Sequence, residues 1–84
     1  MKKTLSEILV AIDRDKSAKG VYDLLRLGRV EGVNTADVYA IDGVYYATCR
    51  LADGYSVTGT SNGRTKAIRN AVERALVVTN QKQP

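Results

Sequence analysis

The sequence predicts an α+β domain: an N-terminal helix with a short second one after it, a three-stranded antiparallel meander, and a C-terminal helix packed on the sheet, the order α-β-β-β-α. Three observations carry this. Asp42-Gly43 and Asp53-Gly54 punctuate a stretch of β-branched and aromatic residues, the signature of hairpin turns between strands. After Gly63 the hydrophobic period changes from two to 3.6. Near the start, Thr4-Leu5-Ser6-Glu7 has the spacing of a capping box, in which hydroxyl and carboxylate each satisfy the other residue's backbone N–H.

Behind that box, Leu5, Ile8, Leu9 and Ile12 recur on one helical face, so a first helix is expected over about 5–14. Asp13 to Lys19 reads as a polar connector. Val21, Leu24 and Leu25 then form a shorter stripe that stops at Gly28, which predicts a second helix at about 18–27. Arg29 to Asn34 contains Gly32 and has no period, and reads as a loop.

Strands are expected near 37–42, 44–51 and 55–60. A two-residue turn at Asp42-Gly43 sets Ile41 opposite Val44 and Ala40 opposite Tyr45. For the second turn a three-residue loop with a left-handed Gly54 is preferred, because it sets Cys49 against Val57 where a two-residue loop would set Arg50 there. One face then carries Val38, Ala40, Tyr45, Ala47, Cys49, Leu51, Tyr55 and Val57 and is the expected core face. The other carries Tyr39, Ile41, Val44 and Tyr46 among Thr48, Arg50, Ser56, Thr58 and Thr60. Leaving four such apolar side chains in water forgoes roughly 1.5 kcal/mol apiece. A cover is therefore expected: the N-terminal helices, a second copy of the chain, or a ligand.

The last helix is expected over about 64–78, with Ile68, Ala71, Val72, Ala75 and Leu76 on one face. Ala67, Ala71 and Ala75 allow a close approach to the sheet, and Ser61 or Asn62 can cap its free N–H groups. Its first turn places Arg64 and Lys66 at the positive end of the macrodipole, which costs about 0.3 to 1 kcal/mol per charge unless an anion such as phosphate is held there. Asn80 to Pro84 reads as a frayed tail.

A chain of 84 residues is one small domain, and none of its windows approaches the apolar run of about 18 residues that a membrane span needs. Without a recognisable signal peptide the default expectation is cytosolic. The single Cys49 cannot form an internal disulfide, and without histidine no metal centre, no cofactor and no His-dependent catalysis is expected. No nucleophile motif or glycine-rich phosphate loop points to an enzyme. Cys49 reads as a small core residue.

Charge is the more informative balance. Residues 1–54 carry eight Lys/Arg against eight Asp/Glu, whereas residues 55–84 carry five basic residues against Glu73 alone, so the whole net charge of +4 lies in the last third. A basic patch on one element is the footprint of nucleic acid or another acidic partner, with a solvated helix face as the plain alternative. The candidate nucleic-acid-binding residues are Arg64, Lys66, Arg69 and Arg74, joined by Arg50, Tyr39 and Tyr46 on the second sheet face, where aromatic rings can stack bases. Glu73 can pair with Arg69 four residues earlier, and Tyr39 and Tyr46 can equally be a cross-strand packing pair.

The element order and the ending Gly63-Arg64-Thr65-Lys66-Ala67-Ile68-Arg69-Asn70-Ala71-Val72-Glu73-Arg74-Ala75-Leu76 resemble a double-stranded RNA-binding domain. Ala67, Ala71, Val72, Ala75 and Leu76 fall on that family's packing positions and Arg64 on its first phosphate-binding lysine. Thr65 and Ile68 stand where the family has its other two lysines, and its long loop between the first two strands is here Asp42-Gly43. The resemblance implies a duplex ligand held by its phosphates. Three-stranded sheets backed by a helix also occur in the arm-binding domains of phage-type integrases, which would present Tyr39, Tyr46, Thr48, Arg50 and Thr58 to DNA. Two further readings stand beside these. One is a protein-interaction module of the small phage or plasmid type, or a homodimer, using the Tyr39, Ile41, Val44, Tyr46 face. The other is a winged helix-turn-helix with residues 34–41 as its recognition helix.

Overall fold

The computed structural model describes residues 2–15 and 18–82. The chain runs α1 (Leu5–Asp15), α2 (Lys19–Arg26), β1 (Val33–Ile41), β2 (Val44–Leu51), β3 (Ser56–Ser61) and α3 (Arg64–Lys82). The strands form one antiparallel sheet in the order β1-β2-β3. This is the expected α+β fold with both N-terminal helices present.

The capping box forms as the sequence predicts. The Thr4 N–H donates to Glu7 Oε1 and the Glu7 N–H to Thr4 Oγ1, both at 3.2 Å. Replacing Thr4 with Ala is expected to cost about 1 kcal/mol, read as a lower urea midpoint with an unchanged m-value. At the end of α2 the Gly28 N–H donates to the Leu25 carbonyl and the Arg29 N–H to the Leu24 carbonyl. That is a Schellman motif, and it needs the left-handed φ of +68° that Gly28 supplies.

Both turns are those expected. Asp42 and Gly43 have φ of 50° and 80°, the mirror-image turn whose twist matches the flanking strands, and Ile41 pairs with Val44. In the second turn the Leu51 N–H donates to the Tyr55 carbonyl, Gly54 is left-handed, and Cys49 pairs with Val57.

All three helices lie on one face of the sheet. Their buried side chains, among them Ile8, Ile12, Leu25, Ile68 and Val72, meet Ala47, Cys49, Leu51 and Val57 in a single core. Ala67, Ala71 and Ala75 are fully buried, and the close approach they allow is taken up by Gly59 on β3. A Cβ on Gly59 would overlap the backbone of Ala67, Asn70 and Ala71. Burial pushes the Cys49 thiol up to about 11, because the apolar core disfavours the thiolate.

Several expectations are corrected. Residues 29–34 are not a loop throughout: β1 begins at Val33 with a register shift between Val33 and Thr35, and Val30 is fully buried in a parallel bridge to Lys3. Residues 34–41 are therefore strand, which removes the winged helix-turn-helix. Tyr55, expected in the core, is 56% exposed because it lies in the turn before β3 begins. The last helix continues through Asn80 to Lys82, past the expected start of fraying, while Gln83 and Pro84 lie outside the described residues, as do Lys16 and Ser17 of the connector.

Of the three covers expected for the second sheet face, one is excluded. The N-terminal helices do not cover it, because their apolar stripes are used on the same side as α3. Tyr39 and Ile41 remain 49% and 54% exposed.

Candidate nucleic-acid interface

The seven candidate residues fall on three surfaces, because the sheet and α3 stand between them. Arg64 and Lys66 are exposed in the first turn of α3, a turn with no acidic residue. The Ser61 hydroxyl accepts the Gly63 N–H, just ahead of the helix and not within it. The expected side-chain cap is therefore displaced to the approach. Arg64 lies over the Tyr22 ring, its guanidinium carbon 5.4 Å from the ring centroid. Arg26 approaches the same ring at 5.6 Å. Two guanidiniums thus converge on one tyrosine where α2 ends and α3 begins, with Lys66 in the same first turn of α3 as Arg64.

Tyr22 and Arg26 are one helical turn apart, so their mutual contact is local. Their meeting with Arg64, 38 or more positions along the chain in sequence, is made only by packing α2 and α3 on the same side of the sheet. Nothing in the local pattern marked Arg26, since a cation in the last turn of a helix is ordinary.

Arg69 is differently placed. Its Nε donates to Asp13 Oδ1 at 2.7 Å, and another guanidinium nitrogen lies 3.0 Å from Glu73 Oε2. The hydrogen bond from Arg69, together with its positive charge, holds the Asp13 carboxyl below the usual carboxylate range. Two carboxylates so close leave Arg69 little field for an outside anion, and its role is to tie α1 to α3. Arg74 is exposed farther along α3, where it lines an open groove of about 880 Å³ beside β3 with Leu76, Val77, Thr58 and Glu73.

Arg50, Tyr39 and Tyr46 are on the opposite, open face. The two tyrosine rings are stacked, with centroids 5.3 Å apart and planes within 15°. They are directly paired across β1 and β2, and Thr48 and Thr58 hydroxyls meet at 3.3 Å across β2 and β3 on the same face. The stacked pair is preorganised for a flat partner, but it does not share a surface with the cations of α3.

Comparison with family models, with curated proteins and with solved structures finds no match. The fold established here is α+β, three antiparallel strands with helices on one face. No helix among the described residues is long and apolar enough to cross a membrane.

Proposed function

We propose that the chain binds a nucleic-acid duplex by its phosphates, at the basic corner formed by the end of α2 and the start of α3. The observation that carries this reading is the convergence of Arg26 and Arg64 on Tyr22, next to Lys66, in a helical turn without an acid. Like charges gathered there repel one another and oppose the helix macrodipole. Phosphate oxygens relieve both, through charge-assisted bonds to the guanidiniums and the free N–H groups of the helix start.

Such contacts position a backbone and carry no base sequence, so broad duplex binding is the expected outcome. The likeness of residues 63–76 to the ending of a double-stranded RNA-binding domain supports the same choice, through Arg64 and the packing positions behind it. Anisotropy titrations of the full chain against a duplex RNA, a duplex DNA and a single strand, each at several salt concentrations, test the reading. Salt-sensitive binding to a duplex is expected. Equal or stronger binding to the single strand would move the site to the stacked tyrosines, and no binding at low salt ends the proposal.

A second reading is favoured by one separate observation, the exposure of Ile41 and Tyr39 beside the preformed tyrosine stack. Aromatic pairs of this kind are typical anchors for a protein partner. Changing Val44 to Lys places a charge on that face where no helix covers it, so stability should move by less than about 0.5 kcal/mol. On this reading the same change abolishes association with a partner protein. Pull-down with wild-type and variant chains from the same lysate distinguishes the two, and identical captured proteins would leave the face without a role.

A further inference from the structure

β3 is an edge strand, and its outer edge differs from the outer edge of β1. In an antiparallel pair, successive residues alternate between bonding toward the neighbour and pointing away. The Leu51–Tyr55 hydrogen bond sets the phase: Val57, Gly59 and Ser61 bond to β2, so the N–H and C=O groups of Ser56, Thr58 and Thr60 point outward. The Thr60 carbonyl agrees with this phase, because it accepts from Asn70 Nδ2 of α3 at 3.0 Å. Among the described residues no backbone group bonds this edge from outside.

Edge strands are normally protected by charge, proline or a bulge. β1 has two such devices, Asp37 and the register shift between Val33 and Thr35. β3, Ser-Val-Thr-Gly-Thr-Ser, has none of them. Alongside it runs the open groove, with Val57 and Leu76 in its lining and Val77 54% exposed on its wall.

We propose that this edge is the seat of a second copy of the chain, paired β3 to β3 in antiparallel fashion about a two-fold axis at Thr58. That register sets Thr58 opposite its own symmetry mate and Ser56 opposite Thr60, so every outward-pointing residue falls in a hydrogen-bonded pair; about four main-chain bonds form to unengaged groups, and about two more share the Thr60 carbonyls with Asn70 Nδ2. The two sheets become one continuous sheet. Because the axis is perpendicular to the sheet, the α3 helices lie on the same side of it and each fills the groove of the other, burying Val77. Glu73, already paired with Arg69 of its own helix through Oε2, and Arg74 line that groove at its polar rim, so the two-fold operation can bring Arg74 of each copy to the edge of the other's Arg69–Glu73 pair. A second copy matches this edge in strand length, in polarity and in charge. The surface is distinct from both the basic corner and the tyrosine face, and the inference does not rest on the proposed function.

Sedimentation equilibrium and amide hydrogen exchange on the full chain test it. The mass should double as the concentration rises to about 100 µM, a range in which micromolar contacts become populated. Over the same range the Ser56, Thr58 and Thr60 amides should gain protection, while those of Val57 and Gly59 are protected throughout. Thr58→Pro removes the outward donor at the axis, and Val77→Lys charges the groove wall on an exposed helix position that leaves folding unaffected. Each should give a monomer at all concentrations, with at least a tenfold weaker self-association. A wild-type chain that stays monomeric overturns the proposal. So does a dimer that survives Val77→Lys and is broken by Val44→Lys, since the tyrosine face would then be the interface.

Discussion

Gly59→Ala is expected to destabilise the protein by about 3 kcal/mol, near the upper end of the penalties for overfilling a packed site. Most overpacked positions relax because a flexible side chain gives way. Here the atoms met by the new methyl group belong to the backbone of Ala67, Asn70 and Ala71, so either α3 lifts from β3 as a body or the strand bends. Both separate the two sides of the core, where Ile68 and Val72 are fully buried. A chain of this size has a total stability of about 4 to 12 kcal/mol, so the variant loses a large share of it. In a thermal melt the loss corresponds to a Tm lower by about 12 to 24 °C. Gly63→Ala is the control, because a Cβ there meets nothing within 4 Å. Its melt should stay close to wild type. If Gly59→Ala melted with the control, α3 would not be seated on β3 as described.

The second large effect is expected at the basic corner. Each phosphate neutralised by a protein cation releases condensed counterions, so log affinity for a duplex falls with log salt by about 0.9 per contact. Replacing Arg64 and Lys66 together with Gln should weaken duplex binding and flatten that slope by about 1 to 2 units. Arg69→Gln should leave the slope nearly unchanged, since its charge is already spent on Asp13 and Glu73. From the sequence alone the double variant should also be slightly more stable, because two cations leave the positive end of a helix. The contact with Tyr22 modifies this. Removing Arg64 gives up a cation–π contact worth about 0.5 to 1 kcal/mol at an exposed site, which offsets the relief at the macrodipole. The gain should therefore come from Lys66→Gln alone, and the double variant should be no more stable than that single variant. A wild-type salt slope in the double variant would remove these residues from the interface and favour the open sheet face instead.

The features governed by neighbours along the chain can be read without the fold. The Thr4–Glu7 box, the Gly28 stop, the Asp42-Gly43 turn and the left-handed Gly54 are all set by interactions over a few residues, and the residue types at each position mark them. The register of all three strands followed, because the turns fix it and a one-residue slip would have placed Arg50 in the core. The stripe of Ala67, Ala71 and Ala75 likewise announced a close contact. Its counterpart, Gly59, was missed, although a glycine inside a strand is itself a signal of close backbone approach.

Contacts between elements far apart in sequence depend on how the whole chain packs. Val30 became a core residue through a bridge to Lys3, because two irregular segments supplied each other's backbone partners and neither has a period to detect. Arg26 joined Arg64 at Tyr22, and Asp13 took Arg69, because three helices share one side of the sheet. That sharing also left the tyrosine face open. A strand's alternation says that it has two faces, but which of them the helices take depends on the handedness and length of the connections and on the summed packing of all the stripes, which no local pattern carries.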